Sequence, residues 1–247
     1  MLHASYRRLV LLASGPTSDR SVEELRSAGV QVEREIQSAT FETLGNVRRR
    51  ALALGLRDDA PYLHLCDWDR ALHWAEYYMD ELQEVIGAIP AYDCLILGRT
   101  PRAFGNHPRV QRDTEAIINH CFGLVWGQPL DVTAASRGLS RRAAELIVAE
   151  CDEPTIGNDC IWPLFLARRA ELVVGYAATE GLEWETPDRF ADEIAALGGL
   201  DAWLADHDAD VARWAERLRL AQIEVEALRR WQLTHRPESA SYRLSHE

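Results

Sequence analysis

Two aspartates that could bind a metal ion follow a short apolar segment. Residues 62–66 (Tyr-Leu-His-Leu-Cys) are typical of a buried strand, and Asp67 and Asp69 come directly after them. Open α/β sheets bind their ligands beyond the carboxyl ends of the strands. Side chains two positions apart in an extended segment point to the same side, so both carboxylates can meet one Mg or Mn ion. The pair therefore predicts a site for a divalent cation and a phosphate group.

The same aspartates also have a plainer interpretation. A D-x-D motif is short, so one aspartate can cap the helix that begins beyond Arg70 while the other is merely exposed. His73 lies four residues beyond Asp69, and we interpret it as a surface residue or an indirect support of the site rather than a ligand. His64 alternates with leucines and is expected to be buried with its hydrogen bonds satisfied.

The composition limits the class of protein. The 247 residues suffice for one large α/β domain with a helical appendage, and no apolar run reaches the length of a membrane span. A net charge of −12 argues against nucleic-acid binding. All 27 basic residues are arginine, which excludes a P-loop lysine or a Schiff-base lysine. The five cysteines are well separated and form no C-x-x-C motif, so we expect reduced, mostly buried thiols in a cytoplasmic protein.

Apolar segments typical of strands alternate with helical patterns over residues 1–186. This alternation predicts a parallel or mixed sheet with helices on both faces. The small residues of 133–138 are interpreted as a loop. The expected strands are 8–14, 30–36, 62–66, 92–97 and 171–176. The expected helices are 19–28, 46–55, 71–87, 109–121, 140–147 and 158–169, with Ser18 or Asp19 and Ser140 as N-caps.

The composition changes near Thr186, and residues 187–247 are expected to form a C-terminal helical extension that ends in a frayed polar tail. Trp203, Trp214 and Trp231 would anchor these helices to the domain or to a second copy of the chain. The sequence thus allows a homo-oligomer through the extension. One packed helix face is predicted from apolar residues at helical spacing, namely Leu204, Val211, Trp214, Leu218, Ile223 and Leu228.

Short motifs occur in a defined order between residues 6 and 180. In chain order they are Gly15-Pro16-Thr17, the segment 45–53 (Gly-Asn-Val-Arg-Arg-Arg-Ala-Leu-Ala), Asp67-Trp68-Asp69, the segment 131–137 (Asp-Val-Thr-Ala-Ala-Ser-Arg) and Gly157-Asn158-Asp159. In this order they resemble the glycosyltransferases of the GT-A fold, especially family 2 and its polyprenol-phosphate sugar transferase branch.

The resemblance implies a Rossmann-like mixed sheet of the GT-A type. It also implies metal-dependent transfer of a sugar, of the hexosyltransferase kind, from a nucleotide-diphosphate donor to a hydroxyl of a small or lipid-like acceptor. By their places in the motifs, Pro16 and Thr17 would lie near the nucleotide base and Arg50 near the donor phosphate. Asp67 would bind the donor and, with Asp69, the divalent cation, Mn or Mg.

Arginines are the candidate partners of anionic groups. Arg48, Arg49 and Arg50 are consecutive, and Arg50 best matches the arginine of the motif, while a solvated helix face is the plainer interpretation of at least two of them. Arg99 and Arg102 follow a strand in a loop rich in glycine and proline. An anionic acceptor is a less favoured interpretation for these two.

Asp159 matches the acidic position that the family uses in its E-D motif. An inverting transfer needs a base that removes the proton of the acceptor hydroxyl, and Asp159 is the candidate. Its apolar sequence neighbours, such as Cys160 and Ile161, would favour a carboxylate that accepts a proton. A helix cap is the alternative role, and a retaining enzyme would not need Asp159 as its base.

Two other functions stay open. A sugar-phosphate nucleotidyltransferase has a similar sheet, but it needs a basic residue in a glycine-rich first loop, where this chain has Gly15-Pro16-Thr17. A protein without catalytic activity would bind a nucleotide sugar or a partner protein. Departures from the motifs favour this alternative, since Ala135 and Ser136 stand where the family has glycine and phenylalanine. The retained Asp67 and Asp69 speak against it.

Overall fold

The chain folds around a mixed sheet. The computed structural model describes residues 2–36 and 39–235. A parallel pair, β1 and β2, stands beside a four-stranded sheet in the order β3-β5-β4-β6, in which β5 is antiparallel to both neighbours and β4 is parallel to β6. The strands are β1 (Val10–Ala13), β2 (Gln31–Arg34), β3 (Tyr62–Leu65), β4 (Cys94–Arg99), β5 (Ser136–Ser140) and β6 (Val174–Thr179).

The helices lie largely where their N-cap residues predict. Ser18 accepts a hydrogen bond from the Ser21 amide at the start of α2, and Ser140 accepts one from Ala143 at the start of α8, as predicted. No helix in residues 2–36 and 39–235 is long and apolar enough to cross a membrane. The helices are α1 (Leu2–Ser5), α2 (Asp19–Ser27), α3 (Leu44–Gly55), α4 (Trp68–Tyr77), α5 (Met79–Ala88), α6 (Pro101–Gly105), α7 (Arg109–Trp126), α8 (Arg141–Glu150), α9 (Asn158–Ala167), α10 (Ala191–Ala196), α11 (Leu200–Ala209) and α12 (Val211–Thr234).

Strand β4 is buried on both faces, which places helices on both sides of the sheet. Cys94 and Ile96 belong to the core that α7, α8, α9 and α12 cover, whereas Leu95 and Leu97 belong to the core beneath α4 and α5. All four residues are almost inaccessible to solvent. Alternation along one strand therefore divides the apolar interior into two layers, as expected for a doubly covered sheet.

Strand β5 and two boundaries differ from the sequence-based prediction. The segment predicted as a loop at 133–138 contains most of β5, a buried strand between β3 and β4. The predicted helix 71–87 is broken at Tyr78, which leaves helical geometry and donates its hydroxyl to Glu183. The last strand starts at Val174 rather than at residue 171, because the pairing of Cys94 with Val174 sets its register.

The C-terminal extension packs on the domain through a face that shares Ile223 and Leu228 with the predicted one but otherwise differs from it. Helix α12 lies along α7 and α9, and its buried residues are Leu220, Ala221, Glu224, Ala227 and Leu228. Val211 and Leu218, which were predicted to be packed, are 78% and 51% exposed. Trp203 is buried and stacks on Trp184, so it anchors α11 to the domain. The tail predicted to be frayed, residues 236–247, lies outside the described residues.

Candidate functional site

The acidic pair lies at the carboxyl end of β3, as the sequence predicts. The strand ends at Leu65 and α4 begins at Trp68, so Asp67 occupies the N-cap position and Asp69 the first turn of the helix. The expectation of one extended segment is therefore wrong, because helix α4 starts between the two aspartates. Asp67 makes no capping hydrogen bond with its side chain. The carboxylates are 48% and 34% exposed and can meet a ligand from solvent.

Arg48 connects this pair to Asp159. Its Nη1 atom donates to both carboxylate oxygens of Asp159, each at 2.9 Å, and its Nη2 atom lies 3.7 Å from Asp67. Burial lowers the pKa of Arg48, but the carboxylates of Asp159 and Asp67 outweigh it, so the net pKa is raised above its ordinary value. A permanent cation thus links the acidic pair to Asp159, which lies 111 residues beyond Arg48 in sequence.

The register of α3 selects Arg48 rather than Arg50. The sequence favoured Arg50, whose guanidinium instead donates to Glu35 just beyond β2. Two residues along a helix correspond to a rotation of about 200°, so the two arginines leave α3 on nearly opposite sides. No contact of Arg50 with the acidic pair is found within residues 2–36 and 39–235.

Pro16 and Thr17 lie in the turn that follows β1. The amide of Thr17 donates to the Ser14 carbonyl at 3.0 Å, and the carbonyl of Thr17 accepts from Arg34. Pro16 is exposed. The turn therefore forms a solvent-accessible edge at the carboxyl ends of β1 and β2.

Asp159 is buried in a charged environment rather than an apolar one. Besides Arg48, it faces Arg137, whose Nη2 atom lies 3.5 Å from the Asp159 carboxylate and donates to the Asp159 carbonyl at 2.9 Å. Gly157 is the N-cap residue of α9, and the side chain of Asp159 serves no capping role there. The alternative of a helix cap is therefore wrong. The sequence neighbours of Asp159 predicted the wrong environment, because both arginines come from other elements of the fold.

Arg99 is part of a buried ion-pair network and is not free to meet an acceptor. Its guanidinium donates to Asp131 at 2.7 Å, to Glu115 at 2.6 Å and to Thr133 at 2.7 Å. Burial raises the pKa of Glu115, but the charges of Arg99 and Arg217 outweigh it and hold this pKa at about 2. The network fixes the motif segment that begins at Asp131 against α7 and α12.

The same motif segment contains a strained residue. Ala135 has a φ of 56° and is buried, although side chains other than glycine rarely adopt this left-handed conformation. The neighbouring carbonyl of Ala134 accepts a hydrogen bond from Arg70 at 3.0 Å, so the turn is tied to the residue that follows Asp69.

Glu224 of α12 is a residue of this region that the sequence analysis missed. It is 1% exposed, and it accepts a hydrogen bond from the Cys160 thiol, the residue next to Asp159. Burial, together with the negative charge of Asp159, raises the pKa of Glu224 well above its ordinary value. The available signal was a glutamate within the apolar face formed by Leu220 and Leu228.

Residues 183–189, which we call the strap, approach the acidic pair and were also missed. Arg189 lies 3.4 Å from Asp69, and Glu185 lies 4.0 Å from Arg70. His73 is buried against the strap, and the interpretation of a surface histidine is wrong. The strap has no regular hydrophobic period, so its position could not be inferred from pattern.

The remaining histidine prediction is confirmed for the hydrogen bonds, although His64 is half-buried rather than buried. His64 has its Nδ1 atom 2.5 Å from the Tyr6 hydroxyl and its Nε2 atom 2.9 Å from the Ser136 hydroxyl. Burial lowers the pKa of His64 to about 4, which keeps the ring neutral near pH 7. Both ring nitrogens are thus satisfied, and His64 supports β3 and β5 rather than contributing chemistry.

The acidic pair offers the type of donor atom that a hard divalent cation prefers. Its donor atoms are carboxylate oxygens, partly exposed, and its nearest cationic partners lie beyond normal hydrogen-bond distance from Asp67. Within residues 2–36 and 39–235, no group of three or more His, Cys, Asp and Glu side chains is arranged for a metal ion. Two carboxylates suffice for Mg or Mn, which keep several waters and take further oxygens from substrate phosphates.

A cavity of about 490 Å³ lies elsewhere, between the ends of α7, α9 and α12. It is lined by residues such as Trp126, Leu164 and Trp231. None of the predicted site residues lines it. Because it is largely apolar and contains no paired carboxylates, we place the candidate site at the acidic pair instead.

No family model matches the chain, and no curated protein is similar to it. The assignment of function therefore depends on the geometry of the site and on the order of the motifs.

Proposed function

We propose that the protein is a divergent glycosyltransferase of the GT-A type that transfers a sugar from a nucleotide-diphosphate donor to a hydroxyl acceptor with the help of a divalent cation. One observation carries the proposal. Motifs that are widely separated in sequence converge in space, since Arg48 contacts both Asp67 and Asp159. The mixed sheet, with the acidic pair at the end of β3, also supports it.

The side chains of the site would divide the work of the reaction between cation binding and donor binding. Asp67 and Asp69 would hold Mg or Mn. The cation would neutralise the charge that develops on the leaving nucleoside diphosphate. Arg48 stays charged and its guanidinium faces Asp67, so it would add a fixed positive charge for the donor phosphate. The turn with Pro16 and Thr17 would receive the nucleotide base.

Asp159 has two candidate roles. It can accept the proton of the acceptor hydroxyl, or it can act only by orienting Arg48, to which it is bound on both oxygens. General-base catalysis contributes about 10²–10⁴-fold to a rate. Asp159→Asn distinguishes the roles, because loss of the base lowers kcat with the donor KM unchanged, whereas a misplaced Arg48 raises the donor KM.

The direct test is release of nucleoside diphosphate from a panel of UDP-, GDP- and TDP-sugars, with Mn and a set of simple hydroxyl acceptors. We expect release for one donor, lost on chelation of the cation and in Asp67→Asn. Binding of a donor without release would favour the alternative of a nucleotide-sugar-binding protein. No binding and no release by folded protein would contradict the proposal.

The proposal includes a cytoplasmic location. Its supports are the five free cysteines, of which Cys94, Cys151 and Cys160 are buried, and the absence of a membrane-spanning helix in residues 2–36 and 39–235. A homo-oligomer formed through the C-terminal helices remains part of the proposal. Its supports are exposed apolar residues on α12, such as Val211 and Leu218.

A further inference from the structure

The two arginines at the acidic pair differ in how firmly they are held. Arg48 faces Asp67 with its side chain 10% exposed, and Asp159 binds it from behind. Arg189 faces Asp69 at 3.4 Å with its side chain 60% exposed, and it lies in the short 3-10 turn of the strap. Exposed ion pairs contribute little to stability. Arg189 is therefore the arginine that an incoming cation can displace.

His73 fastens the strap beside Arg189. Its Nδ1 atom lies 2.7 Å from Asp188, and its Nε2 atom lies 3.3 Å from Glu183. Each ring nitrogen thus has a carboxylate of the strap within reach, and the ring bridges α4 to the strap at two points. Arg102 and the hydroxyl of Tyr78 also donate to Glu183. The residue before Arg189 is thus tied to α4, the helix that carries Asp69.

We propose that Arg189 is a further residue of the site, which competes with the divalent cation for Asp69 and is held there by the His73 bridge to Asp188. The inference rests on the proposed function in one respect, namely that the acidic pair binds such a cation. When a cation takes Asp69, the guanidinium of Arg189 is released. It can then pair with a phosphate oxygen of the donor, because guanidinium groups bind phosphate well.

The test uses Mn²⁺ alone as the probe, titrated calorimetrically into the full-length protein. Arg189→Gln removes the competing charge, so we expect the Kd for Mn²⁺ to fall about two- to fivefold, the range of an exposed ion pair. Asp188→Asn keeps Arg189 but loosens the strap, and we expect a smaller fall. Arg142→Gln is the matched control, since Arg142 is similarly exposed and pairs with Glu171 at 3.0 Å away from the site. Its Kd should not change.

If Arg189 and Asp188 had only a structural role, their substitution would weaken the binding of Mn²⁺ or leave it unchanged. A lower Kd therefore distinguishes competition for Asp69 from a structural role. Hydrogen exchange over residues 183–189 should be faster in Asp188→Asn than in Arg142→Gln. An unchanged Kd in both Arg189→Gln and Asp188→Asn would overturn the inference alone. Binding of Mn²⁺ that persists in Asp67→Asn, or no binding by any form, would overturn the cation site and the inference with it.

Discussion

Asp159 and Glu224 are two buried carboxyl groups in different surroundings. Asp159 is bound by Arg48 at 2.9 Å, whereas Glu224 accepts from the weakly donating thiol of Cys160 at 3.5 Å. Burial and the charge of Asp159 raise the pKa of Glu224 well above its ordinary value. One region therefore holds a carboxyl group paired with a cation and a second, buried carboxyl group whose surroundings raise its pKa.

Glu224→Gln should stabilise the protein increasingly as the pH rises above 5. The raised pKa means that the contribution of Glu224 to stability is fully present below its ordinary pKa of 4.5 and is lost as the pH climbs toward the folded-state pKa. Glutamine cannot ionise in the unfolded chain, so it avoids this loss. Urea denaturation at pH 5 and pH 8 measures the difference.

The control for this prediction is Glu226→Gln on the same helix. Glu226 is partly exposed, and its hydrogen bonds from Arg229 lower its pKa. The variant should show no gain in stability between pH 5 and pH 8. Equal pH dependence in the two variants would mean that Glu224 is ionised in the folded protein.

Ala135→Gly tests the strained turn next to the acidic pair. Glycine adopts the left-handed conformation of Ala135 freely, so relief of about 1–2 kcal/mol offsets the usual cost of a glycine. Ala134→Gly is the matched control, because Ala134 is buried without a positive φ. We expect Ala135→Gly to be the more stable variant by about 1–2 kcal/mol in thermal unfolding. Equal losses in both would show that the turn is not strained.

At the scale of elements, helix α3 decides which arginine enters the site. Its N-terminus is pressed against the segment before α9, since a Cβ atom on Gly45 would lie 2.3 Å from the carbonyl oxygen of Glu153. This close approach fixes the position of α3 and turns Arg48 toward Asp159. Three consecutive arginines predict a phosphate-binding helix, but only tertiary packing determines which of them faces inward.

Arg48→Met should strongly destabilise the protein, because it leaves Asp159 buried without its main cationic partner. Loss of one partner of a buried ion pair costs about 3–5 kcal/mol. Arg57→Met is the control, because Arg57 follows the same helix and pairs with Glu33 near the surface, where about 0–1 kcal/mol is expected. Urea denaturation of both variants measures the contrast. A loss below 1 kcal/mol in Arg48→Met would contradict the central role of this pair.

The sheet shows where sequence patterns suffice. The apolar runs of β3 and β4 are visible in the sequence, and so is the acidic pair at the end of β3. Strand β5 was missed because all its residues except Leu139 are small, polar or charged. The guanidinium of Arg137 donates to the carbonyls of Ser136, Val132 and Asp159. A segment that contains a buried arginine and few apolar residues lacks the sequence pattern that is typical of a strand.

At the scale of the whole molecule, the C-terminal extension packs against the domain and contributes side chains to its interior. Helix α12 brings Glu224 behind Asp159, and it brings Arg217 to Glu115 at 2.6 Å. Sequence predicted the helices of this extension but not its inner face, because the charged residues Glu224 and Arg217 point inward. Packing against α7 and α9 supplies their partners, and no local pattern encodes that.

We propose that the acidic pair and its arginines bind a nucleotide-diphosphate donor together with a divalent cation. The most direct measurement is a thermal-shift screen of UDP, GDP, their common sugars and TDP-sugars, each with and without Mn. Ligands that bind the folded state raise its Tm by mass action.

We predict a rise in Tm for one nucleotide that requires Mn and is lost in both Asp67→Ala and Asp69→Ala. That result would identify both the nucleotide base that is recognised and the donor site. No rise for any nucleotide, in wild-type protein shown to be folded, would contradict the account.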